Sequence, residues 1–316
     1  MVKTTFQSAA YLNLKRSNND LIPDSEISLA QSITRQASKQ TYYIARFMVD
    51  KALVDDFFRA YAYFRWIDDV IDESHLSPDN RISFIKRQRK LLSSLYENEK
   101  SLELSVPEQI IETLINHDQQ ENSKLRSFIW NMFAIVEFDA YRKNQLITGE
   151  QLEWYSNCLA RSVTDGLQYF IGNHHTYPST SHQYLAAKAA HLTHQLRDMV
   201  DDLSNGFINI PKEYLAVNSI DRIQMDHPAL RSWVKDRVEF ARMYFREGKQ
   251  YLDNLKVVRC KLVGRWYCAR FEKILDKIVH DDYLLRKVYN KGRGGSSQLK
   301  MSWLAFTRPF RHQNRF

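Results

Sequence analysis

Tyr61-Ala62-Tyr63-Phe64-Arg65-Trp66-Ile67-Asp68-Asp69-Val70-Ile71-Asp72-Glu73 is an apolar, aromatic run that ends in a cluster of acids. On a helix, residues four apart share a face, so Asp68 and Asp72 form a two-carboxylate prong. About 130 residues later Asp198-Met199-Val200-Asp201-Asp202 repeats the spacing, and Asp198 with Asp202 forms a second prong. Like charges so placed repel by a few tenths of a kcal/mol, so helix stability does not account for either pair. A lone acidic run is more often a solvated helix end than a metal site; two at one spacing reverse that balance. Together they offer an all-oxygen site suited to a hard ion such as Mg²⁺, which takes its other ligands from water and substrate phosphates. The chemistry indicated is that of diphosphates.

The rest of the chain reads as helix. Apolar periodicity near 3.6 runs through 27–50, 53–73, 81–97, 107–117, 124–145, 150–171, 181–204, 228–256 and 260–280. Gly 9 and Pro 7 make up about 5% of the chain, against roughly 12% in ordinary globular proteins. Breaks fall at Ser77-Pro78, Thr148-Gly149, Tyr177-Pro178 and between Gly206 and Pro211, and none is a long linker. The expectation is an all-α helical bundle forming one domain over 26–291. A polar, poorly ordered segment (1–25) precedes it, and a basic, aromatic tail (292–316) follows. Both aspartate prongs sit at the C-terminal ends of helical patterns, where the macrodipole disfavours a carboxylate by about 0.3–1 kcal/mol. A bound cation would offset that cost.

The 316 residues carry a net charge of +8, but residues 283–316 hold eight Lys/Arg and no acid, so the excess lies in the tail. There Lys300, Arg308, Arg311 and Arg315 alternate with Trp303, Phe306, Phe310 and Phe316. This pattern fits peripheral membrane contact better than nucleic acid, with a disordered solvated end as the bland reading. Cys158, Cys260 and Cys268 make no CxxC pair and read as buried apolar fillers. With no signal peptide and no long apolar span, the expected location is cytoplasmic, peripheral to the membrane at most.

Tyr61-x-Tyr63-x-Arg65-x-x-Asp68-Asp69-x-x-Asp72-Glu73, then Leu196-Arg197-Asp198-x-x-Asp201-Asp202-x-x-x-Gly206 and Ile210-Pro211, resembles the squalene/phytoene synthase family of head-to-head prenyltransferases, from about Ser38 to Tyr289. Ser38-Lys39-Gln40-Thr41-Tyr42 stands where that family has an early substrate segment; Tyr155, Ala160 and Val163 match a middle one, and Ala269 to Leu275 a late helix. The resemblance implies an isoprenoid-synthase-type bundle with a central cavity. It implies that Asp68, Asp72, Asp198 and Asp202 hold Mg²⁺ bridging two prenyl diphosphates. Arg65 and Arg197 would meet phosphate oxygens, Thr41, Tyr42 and Tyr155 would contact substrate, and Arg286 or Lys287 would add positive charge. The implied reaction runs through a cyclopropylcarbinyl diphosphate to a squalene- or phytoene-type product.

The chain departs from that pattern at His191 and His194, which replace the usual Gln-x-x-Asn, at Thr164 for a Gly, and at Asn209 for a Tyr. His191 and His194 stay candidates for diphosphate contact, and His194 for metal ligation. HxxH with Asp198 and Asp202 also spells a rival Zn²⁺ or Fe²⁺ site, which would leave the first prong unexplained. His174-His175 reads as a polar loop. A prenyl-diphosphate cyclase and a non-catalytic assembly or scaffold protein of the same fold stay open, as do substrate chain length and the use of NADPH.

Overall fold

Polar caps start the helices close to where the sequence places its breaks. The structure, a computed structural model, describes residues 26–72, 76–99, 103–118 and 123–287. Eleven α-helices and no strand occur among the described residues. They are α1 (Glu26–Ala37), α2 (Lys39–Phe47), α3 (Val54–Asp72), α4 (Pro78–Tyr96), α5 (Val106–Asn116), α6 (Lys124–Arg142), α7 (Gly149–Phe170), α8 (Leu185–Ser204), α9 (Lys212–Val217), α10 (Pro228–Asp253) and α11 (Val258–His280). The N-terminal segment 1–25, Glu73 and the tail 292–316 lie outside the described residues. No helix of the described residues is long and apolar enough to cross a membrane.

Ser38, Ser77 and Ser123 accept from the backbone N–H three residues on at 3.2, 3.2 and 2.8 Å and so open α2, α4 and α6. Thr148 and Gln151 form a reciprocal capping box at α7, with bonds of 3.0 and 2.9 Å. Each such cap stabilises its helix by about 1 kcal/mol. The cap at Ser38 has a consequence that periodicity misses: the pattern over 27–50 reads as one helix, but Ser38 turns extended and divides it into α1 and α2. The six-residue α9 is also absent from the sequence reading, since under two turns leaves no period to detect.

α3 packs on α1, α2, α5 and α6, while α8 packs on α7, α10 and α11, and α6 lies along α7. The two prong-bearing helices therefore do not pack closely on each other; α6 and α7 come between them in the packing order. α8 and α10 approach so closely that a Cβ on Gly248 would lie 2.3 Å from the backbone nitrogen of Ala186. At the centre Phe57 meets Phe170 at 5.3 Å, and Phe64 meets Phe128 at 5.6 Å, both edge to face. This is a favoured geometry that adds to the area buried. The three cysteines are free and buried.

Two carboxylate prongs and a buried ionic lattice

The first prong closes α3, whose last residue is Asp72. Asp68 is 2% exposed and Asp72 half-buried. Arg65 lays its fork on Asp69, with Nε donating to Oδ2 at 3.1 Å and Nη2 to Oδ1, and its Nη1 stands 3.7 Å from Asp68 Oδ2. Burial alone would weaken the charge on Arg65, but Asp68 and Asp69 outweigh it and hold the guanidinium protonated.

The aromatic run before this prong divides between two tasks. Tyr63, Phe64 and Trp66 belong to the core. Tyr63 donates to Gln88 at 3.0 Å, Trp66 meets Phe84 at 5.2 Å, and Phe64 packs on Phe128. A helix turns 100° per residue, so a seven-residue run with six aromatic or apolar members must face several neighbours. Tyr61, on the stripe of Asp68, is the one whose hydroxyl feels Arg65, Asp68 and Asp69.

The second prong lies near the end of α8, with Asp198 and Asp202 6% and 5% exposed. Arg197 holds Asp198 through both oxygens, Nε to Oδ1 at 2.8 Å and Nη2 to Oδ2 at 2.5 Å. Asp202 is gripped from elsewhere. Its Oδ2 accepts from Asn209 Nδ2 at 3.0 Å, and Asn209 Oδ1 accepts from Arg142 Nη1 at 2.9 Å. Arg142 Nε donates to Asp139 Oδ1 at 2.6 Å, and the Tyr155 hydroxyl donates to Asp139 Oδ2 at 2.9 Å. Asp202, Asn209, Arg142, Asp139 and Tyr155 are all buried. The Arg142 guanidinium also lies 4.9 Å from the Tyr155 ring centre and 5.4 Å from that of Phe207, contacts that favour a desolvated cation.

Burial and the neighbouring Asp198 push the Asp202 carboxyl well above the usual range, and Arg142 only partly opposes them. A cation at this prong would restore the charged form. Burial likewise raises Asp139, against the pull of Arg142 and Tyr155. His191 is 1% exposed, its ring centre 5.2 Å from that of Tyr155, and neither ring nitrogen has a hydrogen-bond partner among the described residues. Burial, then Arg142, Arg237 and Lys188, push it down to about 3, so it is a neutral imidazole. Gln195, 2% exposed, has both amide atoms without such a partner. At spacings of four, three and four, His191, Gln195, Asp198 and Asp202 form one polar stripe along α8.

The remaining sequence candidates separate. Tyr155 joins the second prong through the lattice. His194 packs edge to face on Phe271 at 4.5 Å. Thr41 is buried against Ser38, bonding its Oγ at 3.0 Å, and Tyr42 meets Phe58 at 5.4 Å. Arg286 lies exposed beyond the end of α11. Sequence reasoning missed Asp139 and Arg142, and took Asn209 only as a departure. The available signal was an acid and a base three apart in the second half of α6, where Glu137 is the one other charged residue.

No three His, Cys, Asp or Glu side chains among the described residues converge on a preformed metal centre, at HxxH or elsewhere. The donors are paired carboxylates. That set fits Mg²⁺, which is usually bound through one or two carboxylates with substrate phosphates and water completing its shell.

Comparison with known proteins bears on the same residues. A model of the family described as Squalene/phytoene synthase matches residues 34–297, which include both prongs and the lattice. Among curated proteins no sequence matches. Among solved structures, squalene synthase HpnC from Alicyclobacillus acidocaldarius superposes with a TM-score of 0.62 at 16% identity, over 83% of this chain and 97% of that one. At that identity the likeness speaks to the fold, which is the all-α fold of that enzyme. By the extent of the family match, the chain belongs to the squalene/phytoene synthase family, a family of prenyltransferase-type enzymes.

Proposed function

We propose that this protein condenses two identical prenyl diphosphates, farnesyl or geranylgeranyl, head to head through a cyclopropylcarbinyl diphosphate. The product would be of squalene or phytoene type. The observation that carries this reading is the pair of prongs, Asp68 with Asp72 and Asp198 with Asp202, each at the C-terminal end of a helix and each with an arginine beside it. Mg²⁺ bound there would neutralise charge on the departing diphosphate. The protein's own groups do the rest. Arg65 and Arg197 present planar forks to phosphate oxygens. An arriving diphosphate competes with Asp69 and Asp198 for those forks, which leaves the carboxylates to the ions. In a site shielded from water, this electrostatic stabilisation of the leaving group is the largest contribution to rate. Tyr61 and Tyr155 offer ring faces beside the two prongs, and ring faces stabilise a cation. The basic, aromatic tail would bring the enzyme to the membrane, where polyprenyl products partition.

Purified protein is incubated with Mg²⁺ and either farnesyl or geranylgeranyl diphosphate, with and without NADPH, and the extracted lipids are weighed by mass spectrometry. A hydrocarbon of twice the substrate's carbon number supports the reading, and the NADPH arm tells whether the second cation is reduced. A product from one substrate molecule would instead indicate a cyclase. Unconverted substrate in every arm would indicate the scaffold.

A further inference from the structure

Asp198 is held by its own neighbour in sequence, but Asp202 is held from across the molecule. The chain of bonds Asp202–Asn209–Arg142–Asp139–Tyr155 joins α8, the connection after it, α6 and α7. A backbone lock lies beside it: Gly206, with φ of 84°, gives its carbonyl to Asn144 N at 2.7 Å, tying the end of α8 to the turn after α6.

The residue types suit one purpose. Ionised Asp202 offers only acceptors and Arg142 only donors, so the two could pair directly. Such a pair would cancel the negative charge that attracts a metal ion. The Asn209 amide stands between them instead, accepting from Arg142 on one side and donating to Asp202 on the other. Orientation passes along the chain through the amide, while the Arg142 charge reaches Asp202 only as a field that partly offsets its burial. Arg142 stays committed to Asp139, which is itself steadied by Tyr155. Asn209 engages Oδ2 of Asp202 and leaves Oδ1 for a ligand.

We infer that Asn209 and Arg142 are positioning residues for Asp202, fixing its carboxylate plane so that one oxygen is presented to a divalent cation at the second prong. This rests on the reading that the prong binds Mg²⁺ with diphosphate. Partners of metal ligands commonly matter to metal affinity by about 10–100-fold.

The test is Asn209→Leu, which keeps the branched heavy-atom skeleton and removes both bonds. Mg²⁺ is titrated calorimetrically into protein saturated with inorganic diphosphate, and melting is recorded with and without the two together. The expected result is Mg²⁺ binding weakened by about tenfold, a smaller ligand-induced rise in Tm, and a kcat that recovers when Mg²⁺ is raised. A lower metal-free Tm with unchanged Mg²⁺ affinity would show a purely structural role and overturn the inference. Arg142→Lys gives the same test should Asn209→Leu fail to fold. It keeps the charge beside Asp139 but cannot fork to Asn209, so Mg²⁺ binding weakens in the same direction; unchanged affinity overturns the inference. Wild-type protein that binds no Mg²⁺ with diphosphate overturns this inference together with the reading it rests on, whereas equal binding by wild type and variants overturns the positioning role alone.

Discussion

The two prongs carry the same carboxylate spacing and are built differently. At the first, Arg65, Asp68, Asp69 and Asp72 all lie within two turns of α3, and the arginine fork rests on an acid four residues away. At the second, Arg197 repeats that local arrangement with Asp198, while Asp202 is anchored by residues 60 or more positions earlier and by Asn209 beyond the helix end. A prong made within one helix can be adjusted by a side-chain rotation. One made between helices moves only if the helices do. The first is thus suited to following a substrate and the second to setting a fixed reference for it.

The largest consequence concerns stability. Arg142→Met leaves Asp139 buried without its ion pair and should cost about 3–5 kcal/mol, read as a fall in the urea midpoint. Arg65→Met, where the arginine and Asp69 keep some contact with solvent, should cost less, about 1.5–3 kcal/mol. Equal losses would erase the distinction between a distributed and a local prong. Next comes Gly206→Ala: the positive φ disfavours a side chain, and the new Cβ would lie 2.0 Å from Asn144 Oδ1. The expected loss is about 1–3 kcal/mol, with weaker Mg²⁺ binding if the lock serves the prong. A Gly206→Ala protein with wild-type stability would show that the turn yields easily.

A smaller effect separates the two regions by pH. His191, on the second prong's helix, ionises at about 3 when folded and near 6.5 when unfolded. The unfolded chain therefore takes the proton first, and stability that is complete above pH 6.5 is lost as pH falls through 6.5 towards 3. By pH 5 the loss from this group is about 2 kcal/mol. His191→Leu should remove that part of the acid sensitivity, measured as the difference in urea stability between pH 7 and pH 5. An unaltered slope would mean that His191 is not held neutral in the folded protein.

How much of this was legible in the sequence follows from range. Helix positions and both aspartate prongs are written in spacings of three and four residues, and the structure ends α3 at Asp72 and α8 two residues past Asp202. Arg197 and Arg65 are legible for the same reason. The lattice is not, because Arg142 meets Asn209 across 67 positions and Tyr155 meets Asp139 from the next helix. Taken along the chain, Asp139 and Arg142 look like an ordinary charged pair near a helix end. Asn209 looked like the loss of a family tyrosine, and only the fold shows an amide placed between a base and an acid. In the aromatic run ahead of Asp68, local composition cannot tell which rings turn to the core.

The most direct test of the central claim, that the two prongs act together on two diphosphates, is the number of inorganic diphosphates released per lipid product formed. The account predicts two for the wild type, with release lost in both Asp68→Ala and Asp202→Ala while each variant keeps its helical fold. One diphosphate per product, or full release by a variant lacking either prong, would contradict it.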